Sequence, residues 1–404
     1  MLASLRRLAP PEFLGPVLLD GRGLPRYWAA VWAFFQAGDL ATSTMAKKLT
    51  HLESFYQHAD QVLAPSCLDD ALADSDVDAL SNALEGYFLL LRDRFCITAT
   101  SEERWQLALQ FVLEVEQRIT RNPSEPQQLS ELHGRFMQLE LLHAKLHVGR
   151  RRRPEQVRSL PADIIEFLYE LLDPDSRANP FRGSASRWRV YVLFILMLHQ
   201  GLRRGEALVL PTDVIKSTFD GTLQQDRFWM TVKYNEYEDD PRYSKAAIKN
   251  ASSIRQLPVS NTIAFIIQEY AANHRGKAPH SFLFSSQKDG PLTTEAVTKI
   301  FQKITASIPS KLRRLLHDRN GKDSFSPHDL RHTCAVVRLN QCLSQGLVME
   351  DALQRMRVFF GWSRNSDMPL RYARAVFEDR MASVWRDEFD DRVSILRSLP
   401  GSMK

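Results

Sequence analysis

In the first 150 residues apolar positions recur every three to four residues, a period that predicts helices over Tyr27–Gln36, Met45–Tyr56, Val77–Leu91, Arg104–Ile119 and Leu129–Leu146. Alternating β-branched and aromatic stretches are nearly absent there, so this region reads as all-helical. Thr42 or Ser43 is placed to cap the second segment, Asp76 the third and Ser101 the fourth, where Glu102 and Glu103 also favour a first turn. Ahead of these segments, residues 1–25 hold four of the chain's 20 prolines and read as an irregular arm.

Helical periodicity resumes at Pro161–Leu172 and Ser186–His199, and then the texture changes. Arg227–Tyr234 (RFWMTVKY) and Ile254–Val259 (IRQLPV) alternate and are rich in β-branched or aromatic residues, which predicts strands of a small sheet. From Thr293 the chain is again mostly helical, with an amphipathic tail over Ala373–Leu399 whose apolar spacing reads as packing on its own domain. The expected fold is mainly α with a small antiparallel β-sheet. Its divisions are an arm (1–25), a helical domain (26–149), a basic linker (150–160) and a second, α+β domain (161–404).

A length of 404 residues fits two or three domains at about 150 residues each. Hydrophobic residues at 44% and charged residues at 25% are globular values, which excludes disordered, collagen-like and disulfide-scaffold classes. The net charge of +5 hides an asymmetry: residues 1–150 carry 14 Lys and Arg against 19 Asp and Glu, and residues 151–404 carry 39 against 29. A polyanion would be held mainly by the second part. In the linker, Arg150, Arg151, Arg152 and Arg153 precede Pro154; a solvated linker and a phosphate contact both fit that run. Cys67, Cys96, Cys334 and Cys342 show no metal spacing and read as reduced thiols, so no metal site is expected. The longest apolar run, Val190–Leu198, falls far short of the roughly 20 residues of a membrane span, and the N-terminus lacks a signal peptide's apolar core. A cytoplasmic protein with no membrane partner is expected.

Three short constellations carry candidate chemistry. In His199-Gln-Gly-Leu-Arg-Arg-Gly-Glu206, Arg203 and Glu206 are three apart, so on a helix the carboxylate can orient the guanidinium. In Ser326-Pro-His-Asp-Leu-Arg-His-Thr333, a capping serine, a proline at the first helical position and Asp329 predict a helix start, with His328 and Arg331 on one face near an anion-favouring terminus. His332 faces about 100° away on that helix and reads as structural. In Phe360-Gly-Trp-Ser-Arg-Asn-Ser-Asp-Met-Pro-Leu-Arg-Tyr372, a Gly-Trp pair and a polar turn lead into a tyrosine that alone would read as packing.

The order of the three is more informative than any one: GLRRGE, then HDLRHT about 125 residues on, then Trp362 and Tyr372 within the next 45 or so. This series resembles the tyrosine recombinase (phage integrase) family from about Pro161 onward, and more loosely the N-terminal helices resemble that family's core-DNA-binding domain. The resemblance implies that Arg203 and Arg331 bind the scissile phosphate, His328 transfers a proton, and Tyr372 is the nucleophile, with Glu206 supporting Arg203. Trp362 stands where many members carry a second histidine, and it would pack and hydrogen-bond through its indole N–H without titrating. For the family's catalytic lysine the match favours Lys249, with Lys245 and Lys233 as alternatives on a hairpin lengthened by Asn235–Arg242.

The implied chemistry needs no cofactor, metal or ATP. Two guanidiniums neutralise the phosphodiester, the tyrosine forms a 3′-phosphotyrosyl bond, and the lysine protonates the leaving 5′-oxygen. The implied partners are double-stranded DNA and further copies of the chain, a tetramer on synapsed sites. A relaxing type IB topoisomerase and a non-catalytic DNA-binding protein are the alternatives.

Overall fold

The computed structural model describes residues 2–4, 15–38, 40–64, 66–93, 99–119, 126–149, 159–221 and 224–377. The chain divides into two units between Glu155 and Gln156. Arg150–Arg153 and the tail beyond residue 377 lie outside the described residues.

The first unit opens with the short strands β1 (Leu2–Ser4) and β2 (Pro16–Leu18), which pair antiparallel where an irregular arm was expected. Six helices follow: α1 (Tyr27–Gln36), α2 (Thr42–Val62), α3 (Leu68–Ala73), α4 (Val77–Arg92), α5 (Ala99–Ile119) and α6 (Pro126–His143). Their apolar stripes meet in a core that includes Trp32, Phe55, Leu84, Trp105 and Phe111. Asp76 caps α4 by accepting the Ala79 N–H at 3.1 Å, as its type and place require. Two other expected caps are corrected: α2 starts at Thr42 after Ala41, which makes no side-chain cap, and α5 starts at Ala99, so Ser101 lies inside it. The terminus of α1 is served from a distance by Asp69, whose carboxylate accepts the Tyr27 and Trp28 N–H groups and the Tyr56 hydroxyl. The six-residue α3 that carries Asp69 was too short for periodicity to mark.

The second unit is built around α8 (Ser184–His199), whose apolar run Val190–Leu198 is buried except at the half-buried Tyr191. Around it stand α7 (Ala162–Leu172), the short α9 (Arg204–Leu208), α10 (Asn261–Glu269), α11 (Thr294–Ala306), α12 (Ser310–Asn320), α13 (Pro327–Ser344) and α14 (Met349–Phe360). The sheet is β3 (Ile215–Asp220), β4 (Gln225–Val232) and β5 (Arg255–Val259), antiparallel in that order. The register sets Met230 against Leu257 and Val232 against Arg255, so the inward face of β5 carries Arg255, Leu257 and Val259. The fold is mainly helical with a small antiparallel sheet; β3 was not expected. No helix among the described residues is long and apolar enough to cross a membrane. Cys67, Cys334 and Cys342 are free thiols.

Candidate active site

The first constellation is set by a turn after α8. Gly201 has φ +58°, and a Cβ there would lie 2.3 Å from a ring carbon of Phe360, so only glycine permits both the turn and the approach of α14. The chain then enters α9 with Arg203 at its N-cap. Glu206 accepts the Arg203 backbone N–H at 3.0 Å and also its guanidinium, a reciprocal contact around the helix start rather than the shared helix face expected. Glu206 is fully buried, and it also holds Arg255 at 3.0 Å and lies 3.6 Å from Arg331. Burial works to raise its pKa; Arg255, Arg331 and Arg203 outweigh that and lower it. One ionised carboxylate thus orders three guanidiniums.

Helix α13 starts as its sequence predicts, with the Ser326 N–H and hydroxyl donating to Asp329 at 2.8 and 2.7 Å. One turn in, Arg331 donates to the carbonyls of Gly201 and Phe360 and is only 2% exposed. These carbonyls sit at or just beyond the C-terminal ends of α8 and α14, where backbone partial charge is negative and a cation is favoured. Arg331 therefore joins three helices. Burial lowers its pKa, Glu206 opposes that, and Arg203 and Arg255 lower it further. Of the two expected phosphate ligands, Arg203 is partly open, with a side chain 21% exposed, and Arg331 is enclosed.

Trp362 follows Gly361, whose φ of +59° turns the chain onto Ser252 and Ser253; a Cβ there would be 2.8 Å from the Ser252 carbonyl oxygen. The indole is stacked between Phe360, with centroids 5.0 Å apart, and Tyr372, 5.2 Å apart. Trp362 packs as expected, and among the described residues its N–H has no hydrogen-bond partner. Tyr372 lies on a helical stretch, residues 368–377, and its side chain is fully buried. Burial raises the phenol pKa, against the lowering fields of Arg331 and Arg203. Its hydroxyl is 2.5 Å from Nδ1 of His332, the residue whose position on α13 suggested a structural role. His328 stands edge-on to His332 with centroids 4.2 Å apart and is itself exposed. Packing at its inner edge lowers its pKa, as do the charges of Arg331, Arg203 and Lys249.

Lys249 ends the long excursion between β4 and β5. That excursion is pinned by Arg242, which donates to the Leu292 and Leu208 carbonyls at 2.8 and 3.1 Å while Asp240 accepts from its Nε. Past Lys249, a single 3₁₀ turn (Ala251–Ser253) brings the Ser253 hydroxyl to Arg203 at 2.9 Å. Lys249 is exposed and makes no ion pair among the described residues, yet its charge reaches His328. Lys245 is also exposed, and Lys233 is paired with Glu236.

Arg255 and Ser253 were not singled out from the sequence, and His332 was expected to be structural, with no partner named for it. Arg255 had a usable signal, because the period-two pattern that turns Leu257 and Val259 inward also turns Arg255 inward, and a buried arginine requires a carboxylate. Among the described residues no group of three or more His, Cys, Asp or Glu could hold a metal ion.

A model described as "Phage integrase family" matches residues 168–373, and the chain belongs to that family, whose catalytic domain breaks and rejoins DNA. A crystal structure of the XerH site-specific recombinase bound to difH substrate, a pre-cleavage complex, aligns over 89% of this chain and 91% of that one at 12% identity, with a TM-score of 0.43. No curated protein matches.

Proposed function

We propose that this protein is a site-specific DNA recombinase or integrase that cleaves double-stranded DNA through Tyr372 and rejoins it without metal or ATP. The observation that carries the reading is the convergence of Arg203 and Arg331 on the single carboxylate Glu206, with both arginine charges felt at the Tyr372 phenol. A phosphodiester repels nucleophiles and gains charge on its equatorial oxygens during attack. Guanidiniums fixed beforehand stabilise that charge without reorganising. Both oxygens of Glu206 are engaged by arginine, so this carboxylate supports the cations rather than a metal.

Tyr372 attacks phosphorus, its Oη–P bond forms, and the bond to the 5′-oxygen breaks. His328 takes the phenolic proton; its lowered pKa keeps it neutral at pH 7, so activity is lost only as pH falls below the ordinary histidine range. Lys249 gives a proton to the departing 5′-oxygen. The phosphotyrosyl bond conserves phosphodiester energy, so a 5′-hydroxyl from a partner duplex can reverse the step. Four copies on two synapsed duplexes inside the cell fit that exchange, with the helical N-terminal unit as a second DNA contact.

Incubation with a nicked, labelled target duplex in chelator tests the reading. Wild type should give a covalent protein–DNA adduct and joint products between two duplexes; Tyr372→Phe should bind DNA and give neither. An adduct with Tyr372→Phe, or none with wild type, overturns it. Relaxation of supercoils without joint products would point to a topoisomerase.

A further inference from the structure

We infer that His332 is a positioning residue for the nucleophile, its Nδ1 fixing where the Tyr372 oxygen points. This rests on the reading of Tyr372 as nucleophile. Stacking of Trp362 on Tyr372, with an interplanar angle of 14°, confines the ring to a plane but leaves it free to slide or turn within that plane. A second contact is needed to fix the oxygen. Among the described residues His332 is the one hydrogen-bond partner of Oη, at 2.5 Å. His332 is itself braced by the edge-on ring of His328 at 4.2 Å and carried on the same helix as Arg331, so oxygen and phosphate-binding cation share one rigid support.

Positioning, rather than proton abstraction, is what the chemistry allows. Burial pushes His332 down to about 3, with the charge of His328 contributing, while burial raises the phenol. Transfer of the proton from Oη to Nδ1 is therefore strongly uphill, and the imidazole stays neutral. A neutral imidazole can still accept from, or donate to, the hydroxyl, and either way it sets the direction of the remaining lone pair. Displacing a reacting atom by about 1 Å costs roughly a hundredfold in rate.

The test uses the full chain with His332→Phe, which keeps a ring without nitrogen, and His332→Asn, whose amide occupies the place of Nδ1. On a nicked duplex under single-turnover conditions, His332→Phe should slow adduct formation by about 10- to 100-fold at unchanged DNA affinity, and His332→Asn should recover most of the rate. The acid limb of the pH profile should stay where wild type has it, since His332 does not titrate there. The inference is overturned if His332→Phe reacts at the wild-type rate, if His332→Asn is as slow as His332→Phe, or if rate and DNA affinity fall together. If wild type itself forms no adduct, it is the recombinase reading that fails. The contact is then judged without DNA from the His332 ¹⁵N resonances, which must move on Tyr372→Phe; no movement overturns it.

Discussion

Replacing Glu206 by Gln removes the one negative charge among Arg203, Arg255 and Arg331 while keeping size and shape. Oε1 accepts from the Arg203 guanidinium, and Oε2 accepts from the Arg203 backbone N–H and from Arg255. An amide has one oxygen, so in either orientation its NH₂ faces a donor. The less costly choice keeps the oxygen toward Arg255 and sets the NH₂ against Arg203, the guanidinium that can turn toward solvent. Breaking a buried ion pair by removing one partner costs about 3–5 kcal/mol, and the retained oxygen argues for the lower end. A loss of about 3 kcal/mol in urea unfolding, or roughly 6–12 °C in the transition of a unit this size, is expected at pH 7. The pH dependence supplies a second check. Because the folded pKa of Glu206 is depressed, its contribution is complete above the ordinary glutamate range and is lost as pH falls through the lower folded value. The gap between wild type and Glu206→Gln should therefore narrow on the acid side. A difference under about 1 kcal/mol at neutral pH, or a gap that ignores pH, would refute the idea that Glu206 is the electrostatic centre of the site.

Lys249→Ala should change stability by less than about 0.5 kcal/mol, because the side chain is exposed and makes no ion pair among the described residues, yet slow strand cleavage about 10²- to 10⁴-fold. A substrate with sulfur as the 5′-bridging atom needs no acid and should restore the rate; failure to rescue assigns the acid elsewhere. Gly201→Ala should cost at least about 3 kcal/mol in urea unfolding, from left-handed backbone strain and collision with Phe360, and a near-neutral result would show that α14 can retreat. In salt titrations of DNA affinity, alanine at all of Arg150–Arg153 should flatten the slope by up to about 0.9 for each phosphate no longer neutralised. Lys47→Ala and Arg135→Ala, whose residues are ion-paired to Glu103 and Asp78, should leave it unchanged, and the reverse pattern would move the main phosphate contact to the helical unit.

The sequence made local features legible and left long-range ones hidden. Helix α13 could be placed from Ser326, Pro327 and Asp329 because a cap is a contact among neighbours. The pairing of Arg203 with Glu206 was legible for the same reason, although it forms at a helix start rather than along a face. Nothing nearby in sequence could announce that Ser253, 50 residues away, would hold Arg203, or that the Phe359 carbonyl, 104 residues from Arg255, would accept its Nε. His332 was read as structural, and its contact with the Tyr372 hydroxyl stayed hidden because a helical wheel says which way a side chain points and not what another segment brings there. Arg331 was expected beside phosphate, and its burial under two carbonyls could not be read without knowing where α8 and α14 end. Nor could the sequence show that Arg26, Lys47, Arg118 and Arg135 each have a carboxylate partner inside the helical unit.

That pairing sharpens a contrast between the two units. In the helical unit these four cations are each balanced by an acid, so a DNA contact there would fall to its other basic residues. In the catalytic unit three guanidiniums share one carboxylate, an excess of two positive charges fixed by Glu206 and by the carbonyls of Gly201, Ser253, Phe359 and Phe360. In the proposed reaction a phosphodiester brings one negative charge and develops a second as the tyrosine adds. The excess therefore matches the transition state rather than the ground state, which is the condition for electrostatic catalysis. Without Glu206 the excess would be three, held too close to pack; with a second carboxylate it would match only the substrate. On this argument a single buried acid among three arginines is a catalytic requirement as much as a structural one.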